Sequence, residues 1–183
     1  MVKSELTAIA HSILEQNYQS DEPMKTLIPL KGGEWSAAHK FSLDGHYFVV
    51  RVSHTPENFY RDSIASGWSS PNLPIPQILK VDRYQDHYYA ISPFFDGEAF
   101  EILSASDLEW TIPNFLSMMT ALQSVNLGSV EGFGTLTPEG KGAFRSWSDA
   151  LLDVNNDRLD SLIHGWKDVA ILFRTVARQP SKL

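Results

Sequence analysis

The sequence of 183 residues contains no cysteine and carries no excess of basic residues. A chain without cysteine forms neither a disulfide framework nor a cysteine-liganded zinc site, which fits a reducing compartment. Its 15 Lys and Arg residues are outnumbered by 22 Asp and Glu residues, so the formal net charge is −7. A negative protein does not attract phosphate backbones, so we expect no nucleic-acid partner and favour a cationic small molecule instead.

Long hydrophobic runs are also missing. No stretch of the sequence approaches the roughly 20 consecutive apolar residues that a membrane-spanning helix needs. The N-terminal residues carry an amphipathic helical pattern instead of the continuous apolar segment of a signal peptide. The apolar positions of this pattern are Val2, Leu6, Ile9, Ile13 and Leu14. We therefore expect a cytoplasmic protein without a membrane partner.

The hydrophobic fraction of 43% supplies enough apolar surface for one domain, or for one domain and part of another. After the first helix the pattern becomes β from about residue 27, where an apolar run predicts the first strand. Strands at Ala38–Leu43 and His46–Val52 flank Asp44-Gly45, the dipeptide typical of a tight hairpin turn. A helical segment follows, and two further strands flank Gln85-Asp86. This order predicts an α+β fold with a five-stranded antiparallel sheet and one inserted helix.

The second half of the sequence is richer in helical patterns. From Ser104, apolar residues recur at steps of three and four, which predicts a buried helix. Tryptophans and leucines after residue 147 predict one or two more helices. The stretch FFDGEAF lies where the character of the sequence changes. We therefore place the β-rich domain at residues 1–95 and the helical domain at residues 96–183.

Two features of the β-rich half suggest contact with an anion. Gly32 and Gly33 would let a phosphate approach the backbone, and Ser36 could add a hydroxyl donor, although a plain glycine turn explains the same residues. Arg51 lies in an otherwise apolar strand, where an unpaired charge is costly, so it requires an anionic partner. The alternative is an edge-strand arginine that points to solvent.

The order and spacing of several motifs resemble the aminoglycoside phosphotransferase family, which has a protein-kinase-like fold, and within it the hygromycin B phosphotransferase branch. The motifs are GHYFVVRV, FYRDSIAS, LPIPQIL, YYAISPFFDGE and GFGTLTPEGKGAFRSWSDAL. The resemblance extends from residue 27 to about residue 152. The resemblance implies a kinase-like small lobe at residues 1–95, which binds ATP or GTP, followed by a hinge and part of a helical large lobe.

The resemblance also implies roles for individual residues. Arg51 would reach the nucleotide phosphates and pair with an acid on the next helix, either Asp62 or, in another register, Glu57. The segment from Ile91 to Gly97 would be the hinge that binds adenine, with Ser92 in the gatekeeper position at its start. The Pro93 carbonyl would accept from the adenine amino group, and the Phe95 amide would donate to the ring. A simple strand end would explain the same proline.

The family's catalytic loop carries a histidine, a catalytic aspartate, a metal-binding asparagine and a later metal-binding aspartate. The stretch that begins at His164 resembles only the opening of this loop, and no asparagine follows it. We therefore expect no catalytic residue and no metal ligand in this chain, with Mg²⁺ bound only by the missing part of the large lobe.

The resemblance implies transfer of the γ-phosphate of ATP or GTP to a hydroxyl of an aminoglycoside in the full-length form, as in antibiotic resistance. The chain itself looks truncated before its catalytic loop. Two alternatives stay open at this stage. One is a non-catalytic module that binds a nucleotide or a protein, and the other is an interrupted gene product that self-associates through exposed large-lobe helices.

Overall fold

The fold is known from a computed structural model, which describes residues 3–31, 36–98, 100–128 and 130–153. Contacts between Cα atoms divide the chain into two compact units, Met1–Val125 and Asn126–Leu183. The boundary between the two units lies just after the helix Ala105–Gln123. The predicted lobe boundary at residues 95 and 96 stays a prediction. None of the described helices is long and apolar enough to cross a membrane.

The described residues of the first unit form a five-stranded sheet and four helices. The strands are β1 (Ile28–Pro29), β2 (Ala37–Leu43), β3 (His46–Ser53), β4 (Lys80–Tyr84) and β5 (His87–Pro93). The helices are α1 (Lys3–Asn17), α2 (Glu22–Lys25), α3 (Glu57–Ser66) and α4 (Ala105–Gln123), with a 3₁₀ turn at Phe100–Ile102. All strand pairs in the sheet are antiparallel, and the strand order is β1-β2-β3-β5-β4. The sheet and its inserted helix α3 confirm the predicted fold class.

The two predicted hairpin turns are present. Asp44 and Gly45 have φ angles of 51° and 76°, the left-handed conformation that a two-residue turn between β2 and β3 requires. Gln85 has a φ of 53° in the turn between β4 and β5. Local turn chemistry therefore determines the register of both hairpins.

One face of the sheet packs against α1. The core consists of Ala10, Ile13 and Leu14 from the helix and, from the sheet, Phe41, Val50, Val52, Tyr89 and Ile91. Every side chain of this cluster is at least 97% buried. Burial of an aliphatic side chain contributes about 1.5–3 kcal/mol relative to exposure. The sequence periodicity of α1 is thus explained by one continuous apolar contact.

A buried polar contact lies within the same interface. The Thr7 hydroxyl of α1 is 2.9 Å from Nε2 of His39, which lies on β2 and is 2% exposed. In the described part of the chain, Nδ1 of His39 is buried without a hydrogen-bond partner. Burial lowers the pKa of His39, because the charged imidazolium loses its hydration.

Helix α4 differs from its prediction in one respect. The helix is present, but none of its residues is buried, and Trp110 is 85% exposed. The prediction that this helix is buried is therefore wrong. Apolar periodicity specifies a helix and its apolar face, whereas burial also requires a neighbouring surface that covers this face.

The second unit, as far as it is described, contains a short hairpin and one helix. Strands β6 (Phe133–Leu136) and β7 (Gly142–Phe144) pair antiparallel, and α5 spans Trp147–Leu152. Ser146 caps α5, because its hydroxyl accepts a hydrogen bond from the Asp149 amide at 3.1 Å. The stretch that contains His164 lies outside the described residues.

Candidate functional site

The sheet presents its second face on the side opposite α1. Side chains alternate along a strand, so the neighbours of the buried core residues point to this other face. Val49 and Arg51 of β3 lie there, beside Ala90 and Ser92 of β5. The cross-strand pairs are Val49 with Ser92 and Arg51 with Ala90. The predicted anion-binding arginine and the predicted first hinge residue therefore lie on the same face.

Arg51 has the anionic partner that its position requires. Its Nη2 atom donates to Oδ2 of Asp62 on α3 at 2.6 Å, and the side chain is 28% exposed. The structure thus pairs Arg51 with Asp62, the first of the two acids considered, and β3 is an inner strand of the sheet. The alternative of an edge-strand arginine is wrong.

The guanidinium of Arg51 also contacts an aromatic ring. Its Cζ atom lies 5.2 Å from the ring centroid of Phe59, which is 1% exposed and anchors α3. An arginine has five N–H donors in a planar fork, more than one carboxylate uses. The geometry therefore holds the cation in place and leaves donor groups for an additional anion.

The segment after β5 makes one more backbone hydrogen bond to β3 and then leaves the sheet. The Phe94 amide donates to the Tyr47 carbonyl at 2.9 Å. In an antiparallel ladder the backbone groups of neighbouring residues point to opposite sides, so those of Pro93 and Phe95 point away from β3. The Phe95 amide donates to no acceptor among the described residues, and the Phe95 side chain is 66% exposed. A ligand could therefore bind this amide directly.

An apolar cavity of about 550 Å³ adjoins the same segment. Pro93 and Phe95 line it from one side, and Pro74, Ile75 and Pro76 line it from the other. A cavity of this size with a mainly apolar lining and a few polar backbone groups is typical of a small-molecule site.

Comparison with known proteins finds similar sequences and structures. The chain is 28% identical over 172 residues to hygromycin-B 4-O-kinase of Escherichia coli, an alignment that covers 92% of the chain and 48% of that enzyme. The crystal structure of a thermostable mutant of aminoglycoside phosphotransferase APH(4)-Ia, in ternary complex with AMP-PNP and hygromycin B, superposes with a TM-score of 0.73. Its sequence is 26% identical, and the match covers 87% of the chain and 52% of that structure.

The chain is similar to aminoglycoside phosphotransferases in both sequence and fold. A second crystal structure of APH(4)-Ia has a TM-score of 0.71 at 26% identity, and the match covers 88% of the chain and 53% of that structure. No protein-family model matches the sequence. The chain spans about half the length of these relatives, and its five-stranded sheet corresponds to their kinase-like N-terminal lobe.

The glycine segment of this chain is described only at its ends. Gly32 and Gly33 lie outside the described residues. Ser36 is half-buried and directly precedes β2, two residues before Ala38, the cross-strand partner of Arg51. The segment therefore joins the sheet beside the Arg51 end of the candidate site.

The described residues offer no metal centre. Within them, no three His, Asp or Glu side chains lie close enough together to hold a metal ion. The donor set that Mg²⁺ prefers is a group of carboxylate oxygens together with phosphate oxygens of the substrate. We therefore assign no metal ligand to the described part of this chain.

One set of site residues was missed at the sequence level. Lys40 of β2, Tyr47 of β3 and Phe94 lie together on the Arg51 face. A lysine between two buried positions of a strand, with a tyrosine on the next strand of the hairpin, was the signal that could have revealed them. Sequence spacing alone does not show that Phe94 reaches the hairpin, because this contact depends on strand pairing.

Proposed function

We propose that the β-rich half of this chain binds the adenine or guanine nucleotide of a phosphotransfer reaction. In the whole protein, the γ-phosphate of ATP or GTP would pass to a hydroxyl of an aminoglycoside or a similar cationic small molecule. The observation that carries this proposal is the ion pair of Arg51 with Asp62, on the sheet face that also presents Ser92 at the start of the hinge. A structure similar to this chain, that of an APH(4)-Ia mutant, holds AMP-PNP and hygromycin B together, which supports the proposal.

Each proposed contact uses a group that the fold makes available. Arg51 would bind phosphate oxygens with the donors that Asp62 leaves unused, and Asp62 would keep the guanidinium oriented. The Ser36 hydroxyl would add a donor at the phosphate end. At the other end, the Pro93 carbonyl and the Phe95 amide would form the paired hydrogen bonds that recognise a purine edge.

The backbone of Gly32 and Gly33 would cover the phosphates. Glycine permits close approach because it has no side chain, and successive amides can then donate to the same anion. The net charge of −7 would favour a cationic substrate such as an aminoglycoside. A role in antibiotic resistance and a cytoplasmic location are part of the same proposal.

We expect binding without measurable phosphoryl transfer from the 183 residues alone. The catalytic aspartate and the metal-binding residues of the family's loop have no counterpart in the printed sequence. Catalysis of phosphoryl transfer depends mainly on such positioned charges. This expectation concerns the chain by itself, whereas the transfer reaction belongs to the whole protein.

The test is isothermal titration of the purified chain with ATP and with GTP, each in the presence and absence of Mg²⁺. We expect Arg51→Ala to weaken nucleotide binding at least tenfold, because it removes the phosphate-binding cation. Arg83→Ala is the matched control. Arg83 is also a strand arginine with a carboxylate partner, Asp86 at 3.6 Å, but it lies on the edge strand β4.

The outcomes separate the proposal from its alternative. Binding that is lost in Arg51→Ala and kept in Arg83→Ala would support the nucleotide site. A folded chain that releases no heat with either nucleotide would contradict it. That result would favour a protein-binding module, which no observation on the described residues favours directly. Circular dichroism of both variants establishes that each is folded before its affinity is compared.

A further inference from the structure

Lys40 is held between two aromatic rings on the face of the sheet that carries Arg51. Its ammonium nitrogen lies 4.1 Å from the ring centroid of Tyr47 and 4.0 Å from that of Phe94. The two rings are 6.5 Å apart and meet edge to face at 76°. Both distances are well within the range in which a cation is attracted to the electron-rich face of a ring.

This environment differs from that of the lysines that form ion pairs in the described part of the chain. Lys25, Lys80 and Lys141 each lie within 3.3 Å of a carboxylate. For Lys40, the described part of the chain provides no carboxylate within 4.0 Å, and the two rings are its contacts. The position of this ammonium group is therefore determined by aromatic residues and not by an ion pair.

The two rings belong to different parts of the fold. Tyr47 lies on the β2–β3 hairpin, beside Lys40, whereas Phe94 lies in the segment after β5. Phe94 stands between Pro93 and Phe95, the two residues whose backbone groups are proposed to bind the purine. Lys40 thus connects the hairpin to the centre of the proposed hinge.

A backbone hydrogen bond parallels this side-chain contact. The Phe94 amide donates to the Tyr47 carbonyl at 2.9 Å. One residue later, Phe95 is 66% exposed and its amide has no acceptor among the described residues. Beyond Phe94 the ladder to β3 ends, so the conformation at this point depends on the few contacts that Phe94 makes.

We propose that Lys40 is a positioning residue for nucleotide binding, which acts by clamping Phe94 against Tyr47. With the clamp closed, the Pro93 carbonyl and the Phe95 amide keep the orientation that a purine edge requires. A preorganised site binds more tightly because less order has to be created on binding. This inference rests on the proposed function and deepens it, since it concerns the geometry of the same site.

The first experiment measures the clamp without any nucleotide. Hydrogen exchange is followed at the Phe94 amide, which donates to the Tyr47 carbonyl, in the wild type, Lys40→Met and Lys40→Arg. Methionine retains the unbranched apolar stem but not the charge, whereas arginine retains the cation–π contact. We expect exchange about tenfold faster in Lys40→Met and near wild type in Lys40→Arg. Lys25→Met, which removes an exposed lysine, is the control and should match the wild type.

The second experiment measures nucleotide affinity of the same proteins by isothermal titration with ATP and GTP. We expect Lys40→Met to weaken binding about five- to tenfold and Lys40→Arg to restore most of this loss. Phe94→Leu removes the ring at the other end of the clamp and should reproduce the Lys40→Met phenotype. Phe94→Leu also tests the clamp if Lys40→Met does not fold.

The two experiments distinguish failure of this inference from failure of the proposed function. Unchanged exchange at the amide of residue 94 in Lys40→Met and Phe94→Leu would overturn the clamp, whatever the nucleotide affinity. Faster exchange with unchanged affinity would overturn the positioning role. A wild-type chain that binds no nucleotide would contradict the proposed function, and with it the positioning role, while the exchange data would still decide whether the clamp exists.

Discussion

Arg51 of β3 and Asp62 of α3 are joined by an ion pair of 2.6 Å between side chains that are 28% and 42% exposed. The pair connects an inner strand of the sheet to the inserted helix, next to the buried ring of Phe59. An arginine is longer than a lysine, and an aspartate is shorter than a glutamate by one methylene. The longer base and the shorter acid can therefore span the same distance as a lysine–glutamate pair.

These side-chain lengths predict how substitutions of Arg51 and Asp62 affect stability. Arg51→Lys and Asp62→Glu should each destabilise the chain by about 0.5–1 kcal/mol, the range of a partly exposed ion pair. The double variant Arg51→Lys/Asp62→Glu should recover most of the loss, because the longer acid compensates for the shorter base. Urea unfolding of the four proteins measures the coupling. Additive losses in the double variant would show that the pair is not coupled.

The Phe95 amide provides a direct test of the proposed hinge. Phe95→Pro removes the N–H group and should weaken binding of ATP or GTP roughly tenfold, the equivalent of about one hydrogen bond. Phe95→Ala retains the amide and removes only the exposed ring, so it is the matched control. Both affinities are measured by isothermal titration. Equal affinities for the two variants would exclude the amide as a purine donor.

The contact between His39 and Thr7 predicts acid lability. Burial lowers the pKa of His39, and a proton on Nδ1 would have no acceptor among the described residues. An unfolded histidine titrates near about pH 6.5. Between this value and the lowered folded pKa, the unfolded chain binds more protons than the folded chain. The free energy of unfolding is therefore full above this window and falls as the pH falls through it.

Urea unfolding of the chain between pH 4.5 and 8 measures this dependence. We expect a slope from His39 of up to about 1.4 kcal/mol per pH unit inside the window. His39→Leu should remove that contribution, while His11→Leu, at an exposed position of α1, should preserve it. Identical pH profiles for the wild type and His39→Leu would contradict the assignment.

The exposed apolar residues of α4 predict self-association of the chain. Trp110 is 85% exposed, and Leu116 is 58% exposed on the same helix. Large exposed apolar surfaces mark association sites in soluble proteins. We expect sedimentation velocity to show an average mass that increases with concentration. Trp110→Ser should shift the equilibrium toward monomer, and Glu109→Ser, at a neighbouring exposed position, is the control. A wild type that stays monomeric at high concentration would disprove this prediction.

The hairpins and the fold class were predictable from sequence because their signals are local. The turn between β2 and β3 requires positive φ angles at two adjacent positions, and Asp44-Gly45 is one of the few residue pairs that adopt them readily. The alternation of β2 and β3 and the periodicity of α1 likewise depend on near neighbours in the sequence. The two-residue length of β1 was not predictable, since a strand ends where its partner stops pairing.

The candidate site was predictable only in part. The apolar context of Arg51 shows that it requires an anion, but sequence left both Asp62 and Glu57 open as partners. The choice depends on how α3 lies over the sheet, which the buried ring of Phe59 determines. The contact of Lys40 with Tyr47 and Phe94 was not predicted, because Phe94 is distant from the hairpin in the sequence and reaches it only through strand pairing.

The sequence by itself determined which residues form strands, where the tight turns lie, and that one strand arginine requires a negative partner. These properties follow from side-chain periodicity and from the backbone freedom of single residues. Only the tertiary structure decided that Asp62 is this partner and that Lys40 reaches Phe94. It also decided that α4 is exposed, because burial and pairing depend on surfaces brought together from distant parts of the chain.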